Sequence, residues 1–81
     1  MINIDIKLNK IDDAIELVNY FSNIDCNVEL IQDRSVIDGK SITGVFTLDL
    51  SRPIKTKVYY VDNNIINSIK NKLSKFSIGG T

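Results

Sequence analysis

The chain of 81 residues contains no histidine and a single cysteine, Cys26. Those two facts narrow its chemistry. Histidine is the side chain that ordinarily titrates near neutral pH, so the most common general acid or base is absent. One thiol without imidazole cannot build a zinc site, and neither a metal nor another cofactor is expected. One cysteine cannot close an internal disulfide, which suits a reducing cytoplasm. Catalysis would have to come from carboxylates, lysines, serines or tyrosines. The adjacent acids Asp12 and Asp13 do not face each other across a cleft, and they read better as helix-start charge than as an acid/base pair. No enzyme is expected. The hydroxyl that stands out is Ser41, in the run Asp38-Gly39-Lys40-Ser41-Ile42-Thr43-Gly44-Val45-Phe46. Apolar residues at Ile42, Val45 and Phe46 follow it at helical spacing. Serine is among the best helix caps, and a cap position also leaves a hydroxyl where a partner can modify it. Both readings stay open. So do two readings of Ile42 and Phe46, which are four apart: core packing, or an exposed apolar patch beside Ser41.

The other charged residues form faces rather than sites. Arg52, Lys55 and Lys57, and again Lys70, Lys72 and Lys75, read as solvated surfaces. The lysines near 55 also suit a guard on an exposed sheet edge or face. Tyr59 joins Lys55 and Lys57 at strand spacing, a weak likeness to a nucleic-acid platform. Ten basic residues are balanced by ten acidic ones, however, and phosphate binding needs a basic surplus. Protein partners are expected, and no nucleic acid. The first ten residues have no apolar run of the signal-peptide type, and no segment is long enough to span a bilayer. A cytoplasmic protein without a membrane partner is the expectation.

The elements that must position these residues follow from the period of the apolar ones. Ile2, Ile4, Ile6 and Leu8 alternate with polar residues, as in a strand with one buried face. Ala14, Leu17, Val18 and Phe21 then fall at i, i+3, i+4 and i+7, with Ile11 and Ile15 beside them. This is the stripe of an amphipathic helix, and Asp13 with Glu16 has capping-box spacing. Cys26, Val28 and Leu30 alternate as a second strand, with Cys26 read as a core thiol. Ser35-Val36-Ile37 is a short third strand after a polar connection, and Asp38-Gly39 is a turn dipeptide. The helix after Ser41 is short or irregular because it holds Gly44 and β-branched residues, and Arg52-Pro53 ends it. Ile54, Thr56, Val58 and Tyr60 form a fourth strand. Asp62-Asn63-Asn64 caps a last helix with the stripe Ile66, Ile69, Leu73 and Phe76. The order is β-α-β-β-α-β-α, an α+β domain with helices on one face of a sheet. Residues 1–77 make one domain, and the end of the chain, 78–81, with Gly79-Gly80, is a loose tail.

This order, together with Lys40-Ser41-Ile42-Thr43-Gly44-Val45-Phe46-Thr47-Leu48, resembles HPr, the phosphocarrier of the bacterial sugar phosphotransferase system. The segment is similar to the K-S-I-M-G-V-M-S-L of HPr from low-GC Gram-positive bacteria, with Thr43 and Phe46 in place of two methionines. The resemblance spans residues 2 to 76. It implies an open-faced β-sandwich: a four-stranded antiparallel sheet with three helices on one side. It also implies a departure. An ungapped count back from Ser41 sets the family's phosphohistidine segment, G-I-H-A-R-P-A, on residues 8–14. Lys10 then stands at the histidine position, Asp12 at the arginine and Asp13 at the proline. An ammonium is a poor phosphoryl acceptor, and two carboxylates repel the phosphate that an arginine would hold. The family's phosphocarrier reaction is therefore expected to be absent. What the resemblance still implies is regulation, as in the catabolite-repression HPr paralogue, which lacks the histidine and keeps the serine. Ser41 becomes the candidate phosphorylation site, Ile42, Thr43 and Phe46 the candidate partner surface, and an HPr kinase/phosphorylase and a regulator the candidate partners. The alternative is a structural interaction module that keeps the fold alone.

Overall fold

The computed structural model describes residues 1–59 and 62–78. Seven elements follow in the order β1 (Ile2–Ile6), α1 (Ile11–Ser22), β2 (Val28–Gln32), β3 (Ser35–Asp38), α2 (Ile42–Val45), β4 (Ile54–Val58) and α3 (Asn63–Ser74). The strands form one antiparallel sheet in the order β1-β4-β2-β3. Opposed residues in such a ladder share a face. Ile2, Val58 and Val28 lie in one row, and Ile4, Thr56, Leu30 and Ile37 in the next. This is the face that the helices cover. The expected α+β order and the open-faced sandwich are both found.

The core is where the periodicities meet. Ala14, Leu17, Val18 and Phe21 of α1 are buried, as are Ile69 and Leu73 of α3 and Phe76 beyond it. They close on Ile2, Ile6, Val28, Leu30, Ile54 and Val58 from the sheet. Cys26 is buried too, although it precedes β2 instead of belonging to it. Ile11 and Ile15, which flank the apolar stripe of α1 in sequence, face outward, with Ile11 60% exposed. The stripe on a helix that packs on one side only is about four residues wide, and these two fall beyond it.

Helix ends differ from the expected pattern where local hydrogen bonds decide them. The N-cap of α1 is Lys10, whose side chain makes no capping bond. Asp13, in the first turn, accepts instead from the backbone N–H of Asn9 at 3.0 Å, and Glu16 is occupied elsewhere. The capping box between Asp13 and Glu16 is therefore not formed. Asp62 caps α3 as expected, accepting from Asn64 N–H at 2.8 Å. α2 stops at Val45, well before Arg52-Pro53. Thr47 closes it by donating its hydroxyl to Gly44 O at 2.6 Å, and Asp49 then turns the chain by accepting from Ser51. Buried Gln32 holds that loop, donating to Asp49 O and accepting from Asp49 N–H, both at 2.8 Å.

Gly39 is needed for space rather than for an unusual backbone angle. A Cβ there would lie 2.5 Å from Val28 Cγ1 and 3.2 Å from Phe21. At the far end, Ser77 bridges Ile6 and Ile78 donates to Asp5 O at 3.2 Å, so these two residues extend β1's edge. The expected strand position Tyr60 and the expected loose residues Gly79, Gly80 and Thr81 lie outside the described residues.

Candidate functional site

Two regions of the helical layer carry the residues singled out by sequence: the start of α1 and the turn into α2. Lys10 has an extended backbone (φ −156°, ψ 166°) and is exposed, as is Asp12. Lys7 and Lys10 border a shallow cleft of about 340 Å³ that reaches Leu50 and Ser51 of the loop before β4. Asp12 and Asp13 both lie in the first turn of α1, where acids complement the helix dipole. Asp13's bond to Asn9 occupies it as a structural acceptor. Helix-start charge, not paired acid/base chemistry, accounts for both.

Ser41 is the N-cap of α2. Its Oγ accepts from Gly44 N–H at 3.1 Å and lies 3.2 Å from Thr43 Oγ1. Its own N–H donates to Asp38 O at 3.0 Å. Ser41 is half-buried and Thr43 exposed, so the hydroxyl sits in a shallow position at the surface. The apolar pair divides. Ile42 is half-buried and packs on the core, while Phe46 is 48% exposed. Neither open reading holds for both residues. Lys40, next to Ser41, does not turn its ammonium toward the hydroxyl. It donates to Ile24 O at 2.9 Å, tying the α2 turn to the end of α1.

The basic faces are largely neutralised. Glu16 of α1 accepts from Lys72 at 2.8 Å and also from Lys75, both from the α3 end of the layer. These hydrogen bonds bring its carboxyl from 4.5 down to about 2. Arg52 pairs with Asp33 and Asp49, and the bond from Arg52 lowers the Asp33 carboxyl. Lys55 lies opposite Asp5, and Lys57 opposite Glu29. β4 is paired on both sides, so its lysines guard the open face and not an edge. Tyr59 donates to Glu29 at 2.6 Å, which raises the phenol. An acid thus stands inside the supposed nucleic-acid platform. Among the described residues no group of three or more His, Cys, Asp or Glu could hold a metal ion, and no helix is long and apolar enough to cross a membrane.

Sequence reasoning did not find Glu16 as the link between α1 and α3, nor Gln32 and Lys40 as ties. Each of these contacts joins residues sixteen or more apart, so no local spacing announces it.

No family model matches the chain, and no curated protein matches it. A solved structure does. The crystal structure of HPr-C-His from Thermoanaerobacter tengcongensis superposes with a TM-score of 0.73, covering 93% of each chain at 17% identity. The fold is that of HPr. The four-stranded antiparallel sheet under three helices, expected from the resemblance, is the HPr architecture. On that fold Lys10 occupies the start of the first helix, where the ungapped count sets the family's histidine, and Ser41 opens the short second helix.

Proposed function

We propose that this chain is an HPr-like regulatory and binding module that does not carry a phosphoryl group on histidine. The observation that carries this reading is an HPr fold with Lys10 at the start of α1 and no histidine in the chain. The lysine and the two acids that follow do not suit the acceptance of a phosphoryl group. Ser41 is the regulatory site in this reading. Its Oγ attacks the γ-phosphorus of ATP on an HPr kinase/phosphorylase, ADP leaves, and the hydroxyl proton passes to solvent or to the kinase. Ile42, Thr43 and Phe46 form the surface read by a protein partner, and exposed Phe46 is its apolar anchor. Ile11 and Ile15 add exposed apolar area on α1. In the family, the arginine near the histidine helps the serine-phosphorylated form bind its transcriptional regulator. Asp12 at that position opposes such binding, so the regulator here differs. The protein acts in the cytoplasm, by binding and not as an enzyme.

Peptide and intact-mass spectrometry after incubation with HPr kinase/phosphorylase and ATP tests this directly. Phosphate on Ser41, absent from Ser41→Ala, is the expected result. Phosphoenolpyruvate with the general phosphotransfer enzyme should leave the chain unmodified. The capping bond from Gly44 N–H favours a second reading, a module that keeps the fold for interaction alone. An unmodified Ser41, under conditions that modify an ordinary HPr, would select it.

A further inference from the structure

The sheet ends on one side in an unguarded strand. Gly39 N–H donates to Val28 O at 2.9 Å, so Gly39 and Val28 form a hydrogen-bonded pair of the β2–β3 ladder. Such pairs alternate along antiparallel strands. Ile37 opposite Leu30 and Ser35 opposite Gln32 therefore exchange hydrogen bonds with β2. Val36 and Asp38 direct their backbone N–H groups outward, along the free edge. The opposite edge, β1, is partly occupied by Ser77 and Ile78. No described segment pairs with the outer side of β3. Edges are commonly defended by lysine, proline or a bulge. β3 is Ser-Val-Ile-Asp, and the sheet's lysines stand on central β4. Val36 is 57% exposed, in the row of Ile31 on the open face.

We propose that β3 pairs antiparallel with β3 of a second copy, about a two-fold axis at Val36, joining two sheets into one of eight strands. Three constraints select this register. Outward-directed residues must meet outward-directed residues, and Val36 opposite Val36 of the second copy does this. A two-fold interface repeats each contact, so Arg34 lies opposite Asp38 of the second copy twice. Neither charge is spent on another side chain. Arg34 is in none of the ion pairs of the described residues, and among them the Asp38 carboxylate accepts a backbone N–H, from Lys40 at 2.9 Å, while the Asp38 carbonyl accepts from Ser41 N–H at 3.0 Å. Shifting the axis by one residue either way sets Val36 opposite Arg34 or Asp38 and breaks both charge pairs. The contact is short, below the roughly 1,200 Å² of stable complexes. The dimer is accordingly weak, and forms at high micromolar to millimolar concentration.

The test is sedimentation equilibrium with an NMR dilution series on the full chain. Wild type should self-associate, with concentration-dependent amide shifts centred on residues 34–38. Val36→Lys, at an exposed position, should weaken association by roughly tenfold or more, since it opposes two like charges at the axis. Arg34→Glu and Asp38→Lys should each dimerise poorly alone, because each homodimer meets like charges. Mixed in equal amounts they should form a heterodimer with both pairs restored. Circular dichroism establishes that each variant is folded. A monomer up to about 2 mM, on the millimolar scale expected of so small a contact, would overturn the proposal. So would a dimer indifferent to Val36→Lys, or a mixture that associates no better than its components.

Discussion

The hydroxyl of Thr56 lies at the centre of β4, fully buried under the helices, with no hydrogen-bond partner among the described residues. A buried hydroxyl left without a partner costs about 1–3 kcal/mol. Valine has the same branched shape and the same preference for a strand. Thr56→Val should therefore stabilise the domain by about 1 kcal/mol, raising Tm by roughly 4–8 °C for a domain of this size. Chemical and thermal denaturation read both quantities, and a loss of stability would mean that the hydroxyl has a partner in solution. Ser41 is the converse case at the same scale. Its Oγ is paired with Gly44 N–H, so Ser41→Ala should cost about 0.5–2 kcal/mol. The control for the phosphorylation experiment is thus a less stable protein, and its fold must be checked by circular dichroism before a missing phosphate is interpreted.

Between elements, Glu16 is the link that titrates. Lys72 also reaches within 5.6 Å of the Tyr20 ring, so α1 and the end of α3 are joined through charge, while Leu17 and Leu73 both belong to the shared core. Glu16's carboxyl stands at about 2 in the folded chain against an ordinary 4.5. A depressed carboxylate stabilises the fold above its unfolded value, and that contribution fades as pH falls through the folded one. The stability gap between wild type and Glu16→Gln should therefore be fully open above about pH 4.5 and close as pH approaches 2. Thermal unfolding across that window measures it. The pair is solvent-exposed, so added salt should shrink the gap as well. A gap that stays constant across that window would mean that the charge of Glu16 does not carry the link.

For the molecule as a whole, the quantity that phosphorylation changes is net charge. The chain is formally neutral, and phosphoserine adds about −1.5 to −2 near pH 7. On Ser41 the group would meet the half-buried turn into α2, with Lys40's ammonium already held by Ile24 O. The modified protein should keep its circular dichroism spectrum while binding anion-exchange resin more strongly. A collapse of helical signal on phosphorylation would show that the cap bond is indispensable and that the switch acts by unfolding. The β3 edge and the α2 turn adjoin, since Asp38 accepts from the backbone N–H groups of Lys40 and Ser41, so Val36→Lys, which leaves those bonds in place, separates the two surfaces better than a change at Asp38.

Alternation of Ile2, Ile4 and Ile6, the stripe from Ala14 to Phe21, and the cap at Asp62 were all legible in the sequence, because period and capping are local properties of the chain. Ser41 as a cap was legible for the same reason, and the resemblance set Lys10 at the family's histidine position by a count of residues alone. Strand order was not local. Lys55 and Lys57 read equally well as edge or face until β1 and β2 flanked β4. The division between half-buried Ile42 and exposed Phe46 depended on where α1 and β3 pack around a helix of four residues. Glu16, Gln32 and Lys40 found partners sixteen or more residues away, and a side chain's partner at that distance is set by the packing of the sheet and helices, which local sequence spacing does not encode.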